Sequence, residues 1–95
     1  MPPPPYPTYS LAEVARLGGR STESGPAWVV VDHHVLDVTA FARGHPGGER
    51  ILLEYAGRDC TEVFYSLHRK EELERRIDRL KVGAVAGLKV RAPTP

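Results

Sequence analysis

The sequence predicts an α+β domain, and three observations carry that reading. Two β-branched runs, Trp28-Val29-Val30-Val31 and Val35-Leu36-Asp37-Val38, flank Asp32-His33-His34 in the manner of a β-hairpin. Helix-opening signals stand at Ser10 and again at Asp59. Leu73, Ile77 and Leu80 recur at helical spacing, and Val82-Gly83-Ala84-Val85 follows as a strand able to return to a sheet. The 95 residues suffice for one domain with a modest core, so a bound cofactor would add a useful share of its stability.

The elements follow in order. Residues 2–7, rich in proline, favour polyproline II or disorder and are assigned as a tail of residues 1–7. Ser10-Leu11-Ala12-Glu13 is a capping box that opens a short helix, and Gly18-Gly19 stops it. Residues 20–26 form a polar loop before the hairpin. Thr39 is expected to cap the next helix, which carries Phe41 and halts at Gly44. Pro46 sits where a helix starts without losing a backbone donor, and Ile51, Leu52 and Tyr55 share a face of the segment that Gly57 ends. Asp59-Cys60-Thr61-Glu62 reads as a second capping box for a helix with Val63, Phe64 and Leu67 that runs into His68. The charged run from Arg69 to Arg79 reads as a solvated helix face, and the 73/77/80 stripe as core rather than pocket wall. The domain is expected over residues 8–88, with a tail over 89–95. Such tails at both ends hint at a unit cut from, or spaced within, something larger.

Charge and cysteine content narrow the function. Lys+Arg is 13 against Asp+Glu 12, a formal net charge of +1, so no strong field favours nucleic acid or an anionic membrane. No run of about 18 apolar residues marks a membrane anchor, and MPPPPYP lacks the basic start and apolar stretch of a signal peptide. The expectation is a soluble monomer in the cytoplasm, membrane-associated only as part of a larger chain. The single cysteine, Cys60, excludes both an internal disulfide framework and the CxxCH pattern of covalent haem attachment. A thiol beside a helix N-terminus can have a lowered pKa, but no base lies near Cys60 in sequence, and it reads as a buried small residue.

The chemistry concentrates in His45-Pro46-Gly47-Gly48 and in His68, 23 positions on. At that separation two histidines cannot share one helix face, where partners stand three or four apart, but they can face each other across a cleft. Ile51, Leu52 and Tyr55 after the first, and Val63, Phe64 and Leu67 before the second, would line that cleft with apolar surface. A flat, apolar, redox-active ligand gripped from both sides fits it, and haem is such a ligand. Gly47 and Gly48 let the backbone approach a porphyrin edge, since neither carries a Cβ. His33 and His34 are weighed against a metal site. Adjacent histidines in a hairpin turn are expected to point to opposite sides, and no zinc spacing accompanies them, so both read as solvated turn residues.

These motifs carry a resemblance. Asp37-Val38-Thr39-Ala40-Phe41 running into His45-Pro46-Gly47-Gly48, then Ala56-Gly57-Arg58-Asp59-Cys60-Thr61-Glu62-Val63-Phe64 and a second His, resemble the cytochrome b5 haem-binding domain across Val35 to Gly87. Thr8 to Val31 fits that family's leading helix and strand. The resemblance implies a small mixed β-sheet with two helix-loop-helix hairpins clamping a non-covalent b-type haem, with His45 and His68 as the axial iron ligands. It further implies pocket positions at Val38, Phe41, Ile51, Leu52 and Phe64, with Leu67 as an extra wall.

Three departures accompany it. The stretch from Phe64 to His68 is one residue shorter than in microsomal members, which implies a slightly different angle for the second His. Arg69 follows that His where a small hydroxyl residue often bonds a haem propionate, so Arg69 is assigned a contact through charge. The acidic docking surface is diluted, because Arg43, Arg50, Arg58, Arg69 and Lys70 stand among Glu49, Glu54 and Glu62.

The function implied is single-electron transfer between a flavin-dependent reductase and a redox enzyme acceptor, by a carrier rather than an enzyme. One alternative is the haem domain of a multidomain oxidoreductase, such as a desaturase, hydroxylase, nitrate reductase or acyl-CoA dehydrogenase-like fusion. Another is a non-catalytic haem- or sterol-binding module, against which the retained His pair argues.

Overall fold

The computed structural model describes residues 6–20, 25–43 and 49–86. The elements run β1 (Thr8–Tyr9), α1 (Leu11–Gly18), β2 (Trp28–Val31), β3 (His34–Asp37), α2 (Thr39–Arg43), α3 (Glu49–Glu54), β4 (Arg58–Asp59), α4 (Thr61–Leu67), α5 (Lys70–Leu80) and β5 (Lys81–Val85). The expected helix starts and stops at Gly44 and Pro46, and the site residues His45 and Gly47, lie outside the described residues.

Alternation along two strands divides the molecule. In β2, Val29 and Val31 face one core with Leu36 of β3, while Val30 faces the other with Val35. A strand covered on both faces reads as a continuous apolar run, which is why Trp28–Val31 does not alternate with polar residues. The second core is closed by Val14 of α1, Val85, Tyr9 and Trp28. The first is covered by Cys60, Leu73 and the partly buried side chains of α2 to α5.

The sheet order is β1-β5-β3-β2-β4, with β1/β5 and β2/β4 parallel and the two central pairings antiparallel. Short β1 and β4 were not expected from the sequence, since two residues give no periodicity to read. They exist because their neighbours offer free ladder positions: Val29 and Val30 register with Arg58 and Asp59. The capping box at Ser10 forms, Ser10 accepting from the Glu13 N–H and Glu13 from the Ser10 N–H, both at 3.0 Å.

Two capping expectations need correction. The carboxylate of Asp37, not Thr39, accepts the first helical N–H at α2, and it also accepts the Thr39 hydroxyl at 2.6 Å. The Thr39 oxygen is left to accept the Ala27 N–H at 2.9 Å, at the entrance to β2. At α4 the N-cap is Cys60, which makes no side-chain cap bond. Asp59 instead accepts the Thr61 N–H and hydroxyl, and Thr61 accepts the Asp32 N–H at 2.8 Å, at the exit of β2. An Asp-x-Thr unit therefore ties each helical pair to one end of the same central strand. Gly57 closes the turn after α3 at φ 79, its N–H bonded to the Trp28 carbonyl at 2.6 Å and with no room for a Cβ beside Gly19.

Candidate functional site

An apolar cleft opens between the two helical pairs. Its floor is the helix-facing side of the sheet, Val29, Val31, Leu36 and Val38. Phe41 of α2 with Ile51, Leu52 and Tyr55 forms one wall, and Val63, Phe64, Leu67 and His68 form the opposite one. Neither α3 nor α4 contains a buried residue, so the apolar stripes that should pack a core face this opening. Ile51 is 44% exposed and Leu67 64% exposed at its edge.

His68 is positioned by the end of α4. It is the C-cap residue, extended at φ −135 and ψ 154, and its N–H donates to the Phe64 carbonyl at 2.8 Å. Its ring lies 5.1 Å from that of Phe64, which in turn stands edge-on to Tyr65. Tyr65 donates its hydroxyl to the buried Asp32 carboxylate at 2.8 Å, so the His-bearing helix is anchored to the hairpin turn by both Tyr65 and Thr61.

The sequence-assigned residues Val38, Phe41, Ile51, Leu52, Phe64, Leu67 and His68 all line this one cleft. Arg69 does not: it is the exposed N-cap residue of α5. Of the sheet floor, sequence reasoning found only Val38 and missed Val29, Val31 and Leu36, and it missed the contribution of α5. Leu73 and Leu80 line the cleft rather than serving only as core, and Glu72 and Arg76 from the supposed solvated face line it as well. The signal was present, since 73, 76 and 80 share one helix face at spacings of three and four.

The reading of His33 and His34 is also corrected. The rings do not diverge but lie together, centroids 4.1 Å apart, and both are half-buried, each with a buried Nδ1 that finds no partner among the described residues. The turn is only Asp32-His33, with Asp32 at φ 57, so His34 already belongs to β3 opposite Val31. Among the described residues no cluster of His, Cys, Asp and Glu could hold a metal ion. Cys60 is buried in the cleft wall, and burial with the neighbouring Asp59 pushes its thiol up to about 12, opposite in sign to a helix-terminus activation.

Residues 10–86 match the family described as cytochrome b5-like heme/steroid binding domain. The chain belongs to this family. Among curated relatives, a nitrate reductase (NADH) of Phaseolus vulgaris is 40% identical over 80% of this chain and 8% of its own length. Cytochrome b5 of Drosophila melanogaster is 34% identical over 80% of this chain and 54% of its own length. The chain thus spans about half the length of the cytochrome b5 relatives it matches and a small part of the nitrate reductases.

The solved cytochrome b5 of Ostreococcus tauri virus 2 superposes with a TM-score of 0.64 at 32% identity, covering 80% of this chain and 92% of that one. Cytochrome b558 of Ectothiorhodospira vacuolata, at 24% identity, shows the same fold with a TM-score of 0.64. The expected α+β fold, a mixed sheet carrying helical pairs over one face, is therefore the fold found. As a member of the cytochrome b5 family, the chain has its cleft between the two helical pairs. The opening is apolar on floor and walls and has an imidazole at its rim. No described helix is long and apolar enough to cross a membrane.

Proposed function

We propose that this chain is an electron carrier that holds a non-covalent b-type haem between His45 and His68. The observation that carries the reading is the placement of His68 on the rim of an apolar cleft between two helical pairs, in a chain of the cytochrome b5 family. When bound, haem would supply one-electron exchange, with the imidazoles of His45 and His68 holding its iron. The chain's own residues do the rest. Phe41, Ile51, Leu52, Phe64 and Leu67 would keep water from the ring, and Val38 would meet it at the sheet floor. Arg69, next to the ligand His in sequence, lies outside the cleft lining and is given no propionate contact. A flavin-dependent reductase is the donor and a redox enzyme the acceptor, in a soluble, cytoplasmic setting.

The nitrate reductase relatives favour a second arrangement, in which the same haem domain works as one part of a larger oxidoreductase.

The test is an absorption spectrum of haem-reconstituted protein, oxidised and then dithionite-reduced. One haem per chain, low-spin in both states and extractable by acid-acetone, is expected. His45→Ala and His68→Ala should each weaken haem retention and let the reduced protein bind carbon monoxide, whereas His33→Ala and His34→Ala should not. A high-spin wild-type spectrum, or carbon monoxide binding in the His33 variant but not the His68 variant, overturns the assignment.

A further inference from the structure

Arg76 is the one residue with a permanent positive charge among the described residues that line the cleft. It lies on α5 between Leu73 and Leu80, three residues after one and four before the other, so the helix register itself turns it toward the opening. Its guanidinium carbon stands 4.9 Å from the centre of the Phe41 ring on the opposite helical pair, a cation–π contact that spans the mouth. Its other partner is the Glu72 carboxylate at 3.6 Å. Glu72 is shared, because Arg75 reaches it at 3.5 Å. Arg76 can therefore leave Glu72 without stranding a carboxylate at the cleft edge, where an unpaired charge would be costly.

We infer that Arg76 is the anchor for the carboxylate edge of the cofactor, exchanging Glu72 for a haem propionate when the ring enters. The inference rests on the haem reading above. Haem b carries two propionates and is otherwise apolar, and a planar guanidinium is well matched to a carboxylate. Among the described residues that line the cleft, Glu72 is the one carboxylate, and Arg75 continues to hold it when an anion enters. Arg69 lies outside the lining and has no such surroundings. The Arg76 side chain is 45% exposed, so water moderates the contact and its removal should not unfold the domain.

The experiment compares binding of ferric haem with that of its dimethyl ester, which has the same ring and iron but no carboxylates. Release to an excess of apomyoglobin reads the affinity, and circular dichroism checks the fold of each variant. Wild type should hold the diacid about tenfold more tightly than the ester, the scale of one charge-assisted hydrogen bond after solvent screening. Arg76→Gln should abolish that preference, so that the variant holds diacid and ester equally. Arg76→Lys should keep part of it, and Glu72→Gln should enlarge it by freeing the guanidinium. The proposal is overturned if Arg76→Gln keeps the full preference, or if Arg69→Gln loses it instead. If neither ligand binds wild type with low-spin bands, the haem reading itself fails, and this assignment with it.

Discussion

Burial, with help from His33 and Lys81, pushes the His34 imidazole down from 6.5 to about 4, while Asp32 pulls the other way. The side chain stays neutral in the fold because a charge there would be partly desolvated and would face both the neighbouring His33 ring and the Lys81 ammonium. In the unfolded chain the same group takes up a proton near 6.5. Between about 6.5 and about 4 the unfolded state therefore binds more protons, and stability falls as pH is lowered through that window. Above 6.5 the group contributes no pH dependence. Replacing it by a neutral side chain, His34→Gln, should flatten the loss of thermal midpoint between pH 7 and pH 5 relative to wild type. Equal slopes in the two proteins would show that other groups carry the acid sensitivity.

At the scale of elements, the two Asp-x-Thr units explain how short helices with few buried residues hold their places. α2 has five residues and α4 seven, too short to persist on intrinsic propensity. Each is fixed by a carboxylate that takes its first N–H and by a threonine oxygen that takes a backbone N–H at one end of β2. Thr39→Val and Thr61→Val keep the shape but leave the Ala27 and Asp32 N–H groups without that acceptor. Each should cost ~1–2 kcal/mol in urea unfolding, towards the lower end of the penalty for an unsatisfied buried donor because these bonds are only partly buried. A loss well under that for both variants would mean that water replaces the threonine oxygen.

Across the whole molecule the two cores differ in completeness. The core under α1 is closed, with Val14, Val30 and Val35 fully buried, whereas the other opens into the cleft through α3 and α4, which bury none of their residues. Any ligand that fills the cleft binds the native state alone and stabilises it by mass action, by about 2.7 kcal/mol at a hundredfold excess over its dissociation constant. Hydrogen exchange should locate the effect. In haem-free protein the amides of α3 and α4 should exchange faster than those of β2 and β3, and added haem should slow the helical amides selectively. Uniform protection over both cores would contradict a division of the domain into a closed scaffold and an open site.

Local signals were enough for much of this. The Ser10 capping box, the Trp28–Val38 hairpin, the helical spacing of Leu73, Ile77 and Leu80 and the returning strand are each decided by neighbours a few residues away, and sequence spacing reports such neighbours directly. The His45 and His68 pair with its apolar flanks pointed to the family and to one cleft, and the described members of that set converge on it. What only the tertiary structure decided lies between residues distant in the chain. Two-residue strands β1 and β4 form because Ala84 and Val29 present partners to them, and neither has a pattern of its own. Asp37 and Asp59 act as caps because their threonines are drawn to the ends of β2, a contact spanning 12 residues in one case and 29 in the other. Arg76 reads as one charge in a solvated run until the packing of α5 turns its face to Phe41, 35 positions earlier in the chain. Sequence periodicity shows which residues share a face; what that face meets is set by the fold.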